Sequence, residues 1–155
     1  MAWCPWATTR IPRNQPRPFK EIDGRRYAFP GDMATIDADG TVNLLGRGSN
    51  CINTGGEKVF PEEVEEALKL HDAVGDALVF GLGDERFGSR VAGVVSLEQG
   101  CSADIEEILE ATRKLLAGYK VPKDLLKVPI VPRAPNGKPD YKTAKSLMMN
   151  SQPTD

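Results

Sequence analysis

Residues 46–65 read GRGSNCINTGGEKVFPEEVE, and their interpretation decides how the rest of the chain is arranged. The stretch follows an apolar, strand-like run at 41–45 and crosses a turn-rich segment holding the Gly55-Gly56 pair. It then enters a helix at Pro61. A proline suits the first helical position, because the N–H it lacks would have no intrahelical acceptor there. Glu62, Glu63, Glu65 and Glu66 crowd the first turns, where negative charge meets the positive end of the helix dipole. The residues predict a strand, a loop and a helix in that order. For Gly55-Gly56 they also allow a β-bulge or a turn that needs positive φ.

Downstream, the helix runs to about residue 70, with Val64, Ala67 and Leu68 on one face at helical spacing. Residues 77–82 are a continuous apolar run with the length of a buried strand. A charged turn at 83–88 and a second strand at 90–97 complete a hairpin. Ser102 is the expected N-cap of the next helix. That helix carries the stripe Ile105, Ile108, Leu109, Thr112, Leu115 and Leu116 and stops at Gly118. A strand at 125–131 follows, which Pro129 pushes to a sheet edge. A Pro- and Gly-rich loop at 131–139 and a short helix at 141–149 complete the chain. Upstream, Asp39-Gly40 sits between extended segments 32–37 and 41–45, a strong hairpin signal, and Asp23-Gly24 repeats it. Residues 1–18 hold Pro5, Pro12, Pro16 and Pro18 and read as a disordered or unrelated tail. The expected fold class is α+β. It comprises a small three-stranded, mainly antiparallel sheet with two helices on one face, preceded by a β-hairpin and followed by a C-terminal Gly-Lys loop.

Composition narrows the function. Charged residues make up 27% and hydrophobic ones 40% of the 155, an ordinary globular balance. A net charge of -2 and a pI near 5.5 argue against a nucleic-acid binder, which would carry a basic field. No apolar run approaches the roughly 20 residues that cross a bilayer. Cys4, Cys51 and Cys101 are odd in number and widely spaced, so neither a disulfide framework nor a zinc site is expected and a reducing cytoplasm fits. His71, the single histidine, falls at a helix end and suits a surface role better than catalysis. Generic motifs fail. Gly81-Leu82-Gly83 lacks the third glycine of a dinucleotide fingerprint, and Gly137-Lys138 lacks both flanks of a P-loop.

Taken together, YAFPGD at 27–32, Gly46-Arg47, NCINTGGEKV at 50–59, AGYKVP at 117–122 and PRAPNGK at 132–138 fall in an order that resembles the adenylate-forming acyl-CoA synthetases. The resemblance spans about 19–149, and its last hundred residues resemble that family's small C-terminal domain. It implies that Asp32 holds the ribose hydroxyls of the adenylate, where a carboxylate can accept two strong hydrogen bonds from a diol. It implies that Arg47 approaches the nucleotide. Ser49 takes the hinge position, where the family usually carries Asp or Lys. Gly55 and Gly56 would line the pantetheine channel, since they let a ligand lie against backbone. Lys138 would meet the substrate carboxylate and the α-phosphate, its ammonium offsetting charge that builds in the transition state. The family often has a basic residue soon after this lysine; here Asp140 is nearby.

The family implies ATP (AMP), coenzyme A and Mg2+ in the full-length enzyme, with none expected on this chain alone. Its substrates are fatty acid, ATP and CoA, and its missing partner is the large adenylation domain. The expected division is a tail at 1–18, a hairpin remnant of the large domain at 19–48 and the C-terminal domain at 49–150. The chain would then be an excised domain or the product of a truncated gene, inactive alone. Two rival expectations stand beside the catalytic lid. One is a non-catalytic binding module for a separate adenylating partner. The other is an inert folded fragment that forms a homodimer through the exposed 33–45 hairpin.

Overall fold

The computed structural model describes residues 19–29 and 31–151; the expected tail at 1–18 lies outside them. Two hairpins come first. Strands β1 (Phe19–Ile22) and β2 (Arg25–Ala28) pair around Asp23-Gly24, and β3 (Asp32–Ile36) and β4 (Val42–Arg47) pair around Asp39-Gly40, where the Asp39 carboxylate accepts the Thr41 N–H at 2.9 Å. Both turns fall where Asp-Gly predicts them.

A 3₁₀ turn, Gly48–Asn50, leads into a third and shorter hairpin, β5 (Ile52–Thr54) with β6 (Glu57–Val59). Gly55 and Gly56 form its two-residue turn with φ of 60° and 91°. Positive φ at both central positions matches the twist of the flanking strands, which is why Gly-Gly closes such hairpins. The segment is therefore a β-hairpin rather than an open loop.

The domain that follows is built on a sheet ordered β7-β8-β9. Strands β7 (Val74–Asp84) and β8 (Gly88–Leu97) are antiparallel, and β9 (Asp124–Lys127) is parallel to β8. Helices α1 (Pro61–Lys69) and α2 (Ile105–Arg113) bury Val64, Leu68 and Ile108 with Val79, Val91 and Val95 in the main core. The opposite face carries Leu78, Phe80, Ala92 and Val94, covered by Ala144 and Met148 of α3 (Tyr141–Ser151). Two helices thus lie on one face, as expected, and a third closes the other. The alternation of 77 and 79 against 78 and 80 is the period of two of a strand buried on both sides.

Several local expectations are corrected. Helix α2 starts at Ile105 with Asp104 as its N-cap, not Ser102. It ends at Arg113 rather than running to Gly118, because Lys114 and Leu115 bond three residues back and tighten the last turn. Leu115, assigned to the buried stripe, is therefore 54% exposed. The β9 strand is an edge strand, as expected, but it stops at Lys127, so Pro129 lies past its end rather than within it. No helix of the described residues is long and apolar enough to cross a membrane.

Candidate functional site

The register of the β3–β4 hairpin sets Asp32 opposite Arg47, so two of the sequence candidates share one end of one hairpin. Asp32 is exposed there. Ser49 follows within the Gly48–Asn50 turn, which leads from this hairpin toward the sheet domain. Gly46 lies just before it with a φ of 101°, and a Cβ at that position would overlap the carboxylate of Glu62 on α1. The positive φ is what favours glycine here, since the end of the Glu62 side chain could swing aside.

Lys138 belongs to the loop between β9 and α3. Its carbonyl accepts the Ala134 N–H, the Gly137 N–H bonds to Ala134, and Arg133 bridges to Pro139, so the loop is a closed turn with Gly137 at φ 77°. The side chain is exposed at a recess of about 330 Å³ that it shares with Asn50, Glu62, Pro139 and Tyr141. Glu62 and Tyr141 of that recess form, with Glu65, a group of ionisable side chains; the sequence marked the two glutamates only as complements of the helix dipole and did not single out Tyr141. Burial pushes the Glu65 carboxyl up to about 7, against a bond from the Val79 N–H at 2.8 Å, with Glu62 adding to the rise. Burial likewise raises the Tyr141 phenol to about 12, and the nearby Glu65 and Glu62 reinforce it. One oxygen of Glu62 is buried without a hydrogen-bond partner.

The resemblance leads to the expectation of a basic residue soon after Lys138, and the geometry accounts for Asp140 there. Its carboxylate accepts the Thr143 N–H at 3.1 Å and the Thr143 hydroxyl at 2.7 Å, while its carbonyl accepts the Ala144 N–H. Asp140 caps α3, and these bonds hold its carboxyl below the usual range.

Gly55 and Gly56 sit at the other end of β5. The Gly55 N–H donates to the Phe87 carbonyl at 3.0 Å. The Phe87 ring carries Lys123 Nζ 4.1 Å and Arg86 Cζ 5.1 Å from its centroid. The Phe87 ring and its two cations thus lie beside a turn that carries no side chains. Phe87, Lys123 and Arg86 lie far from Gly55 in sequence, and only the fold joins them. His71 is not part of either end: its Nδ1 accepts the Ala73 N–H at 3.2 Å just beyond α1. Among the described residues no group of three or more His, Cys, Asp or Glu could hold a metal ion.

Residues 63–138 match the family described as the AMP-binding enzyme C-terminal domain. A 3-oxocholest-4-en-26-oate–CoA ligase of Rhodococcus rhodochrous is 56% identical over 127 residues, covering 82% of this chain and 23% of its own length. A medium/long-chain-fatty-acid–CoA/3-oxocholest-4-en-26-oate–CoA ligase of Mycobacterium tuberculosis is 53% identical over 137 residues, covering 88% of this chain and 25% of its own length. The ATP-bound structure of MatB from Rhodopseudomonas palustris superposes with a TM-score of 0.66 at 30% identity, over 84% of this chain and 25% of that one. The chain thus spans about a quarter of the length of the curated relatives it matches. By these matches the chain belongs to the AMP-binding enzyme family and carries its C-terminal domain.

Proposed function

We propose that this chain is the mobile lid of an ATP-dependent acyl-CoA ligase acting on hydrophobic carboxylic acids of the fatty-acid type, sterol side-chain acids included. Residues 49–150 are the lid, and 19–48 are the last hairpins of a large adenylation domain. The acid class rests on the names of the relatives, which are ligases of fatty acids and 3-oxocholest-4-en-26-oate.

The observation that carries the reading is the placement of two unlike ends on one short strand. Asn50, just before β5, lines the recess of Lys138, while Gly55, just after it, packs on Phe87. Extended backbone of that length separates them by about 15 Å. One end offers a lone ammonium and the other a smooth turn with an aromatic face, so one lid serves two reactions by turning. In the first, a carboxylate oxygen attacks the α-phosphorus of ATP and pyrophosphate leaves. Lys138 offsets the charge on the carboxylate and the phosphate as that bond forms. In the second, the CoA thiol attacks the acyl carbonyl and AMP leaves. Gly55-Gly56 lets the pantetheine arm pass along backbone, and Phe87 with Lys123 receives the flat, anionic nucleotide end. Asp32 and Arg47 bind the nucleotide, and Ser49 is the pivot.

Exposed Ile36, Val42 and Leu44 on the β3–β4 hairpin are the surface that the large domain covers. Without it the chain is inactive and its exposed strand edges invite self-pairing. The test is reconstitution. The chain is mixed with the adenylation part of the Rhodococcus relative, fatty acid, ATP and CoA, and both half-reactions are followed. Thioester made only when both parts are present supports the reading. Silence from a demonstrably bound pair would overturn it in favour of a non-catalytic module, and concentration-dependent size without binding would favour a dimerising fragment.

A further inference from the structure

We infer that Asp76 and Arg133 form a clamp that positions Lys138, with Arg133 acting as a positioning residue for adenylate formation; this rests on the role proposed for Lys138.

The clamp begins with a bulge. Val74 pairs with Leu97 and Asp76 with Ser96, so Gly75 is the extra residue on β7. The bulge shifts the alternation of side chains. Val74 faces the main core with Ala77 and Val79, whereas Asp76 turns to the opposite side, away from that core. There it meets the loop that leaves β9. Arg133 Nε donates to Asp76 Oδ2 at 2.8 Å and Nη2 to Oδ1 at 2.7 Å, a two-pronged match of guanidinium and carboxylate. The remaining nitrogen, Nη1, reaches the Gly137 carbonyl at 3.4 Å. One side chain therefore ties the edge strand of the sheet to the peptide bond that precedes Lys138.

The rest of the loop fits the same purpose. Ala134 and Gly137 close the turn through backbone bonds, and the Asp140 N–H donates to the Pro132 carbonyl, fastening the loop to the cap of α3. The Lys138 backbone is held on both sides, while its side chain stays exposed. An exposed cation on a loose loop would lose its orientation at each encounter, whereas a fixed backbone leaves only side-chain rotamers to order on docking. Lysine cannot replace Arg133, because a single ammonium does not span both carboxylate oxygens and the Gly137 carbonyl.

The experiment compares Arg133→Lys and Asp76→Asn with wild type. In the chain alone, amide hydrogen exchange at Ala134 and Gly137 should rise about tenfold in both variants, while Val79 and Val94 in the sheet keep their protection. Unchanged exchange at Ala134 and Gly137 in both would overturn the clamp. In the reconstituted enzyme, Arg133→Lys should lower kcat for adenylate formation, leave the KM for ATP in place, and spare thioester formation from supplied acyl-adenylate. Equal loss in both half-reactions would mean general damage and would also overturn it. Lys138→Ala separates the two ideas: if that variant forms adenylate normally, the functional reading fails, while the exchange data still decide the clamp.

Discussion

The backbone N–H of Gly55 donates to the carbonyl of Phe87 at 3.0 Å, and a Cβ on Gly55 would lie 3.1 Å from the Phe87 ring. This contact fastens the Gly55-Gly56 turn to the tip of the β7–β8 hairpin. It makes Gly55→Ala a sharp probe, because φ is 60° there and the ring must also shift. The left-handed backbone alone costs about 1–2 kcal/mol for alanine. Urea unfolding should show that loss, and thioester formation should slow more than adenylate formation. Equal slowing of both steps would remove the turn from the CoA path.

Glu65 predicts a pH dependence. Its carboxyl is raised by burial from 4.5 to about 7, so between those values the folded chain binds a proton that the unfolded chain has released. The stabilisation is full below 4.5 and is lost as pH rises through 7, by up to about 3 kcal/mol. Asp76, Asp84 and Asp140 are depressed and pull the other way, but only in acid, as pH falls below the normal carboxylate range. Glu65→Gln keeps an acceptor for the Val79 N–H and drops the charge. Urea midpoints at pH 5 and pH 8 should converge in this variant, which should be the more stable chain at pH 8. A wild-type slope retained by Glu65→Gln would assign the dependence elsewhere.

Asp140→Ala removes the cap of α3 and should lower the urea midpoint. The Ala144 N–H, which bonds the Asp140 carbonyl, should exchange faster than the core amides. Asp140→Asn should restore most of the loss, since an amide oxygen can still accept from Thr143. If alanine were tolerated without effect, Asp140 would not be the cap of α3.

Much of this fold was legible in the sequence because its signals are local. Asp-Gly turns marked both N-terminal hairpins, Pro61 and the acidic run marked α1, and the continuous apolar run at 77–82 marked β7. The β5–β6 hairpin was missed because its strands are three residues each, too short for alternation to emerge beside Gly55-Gly56. The start of α2 was misplaced because Ser102 and Asp104 are both cap-type residues two positions apart, and the sequence pattern does not separate them. The site was half legible. Lys138 and the glycine pair lie in contiguous motifs. Asp76 and Arg133 are 57 residues apart, and Phe87 meets Lys123 only through the sheet, so no local pattern could pair them.

The most direct test of the lid is the adenylate-forming half-reaction in the reconstituted enzyme, with wild type against Lys138→Ala. Lys138 is exposed, so its removal should leave stability within about 0.5 kcal/mol. Adenylate formation should nevertheless fall by about 100-fold or more. Equal adenylate rates from wild type and variant, with the two parts demonstrably bound, would contradict the assignment.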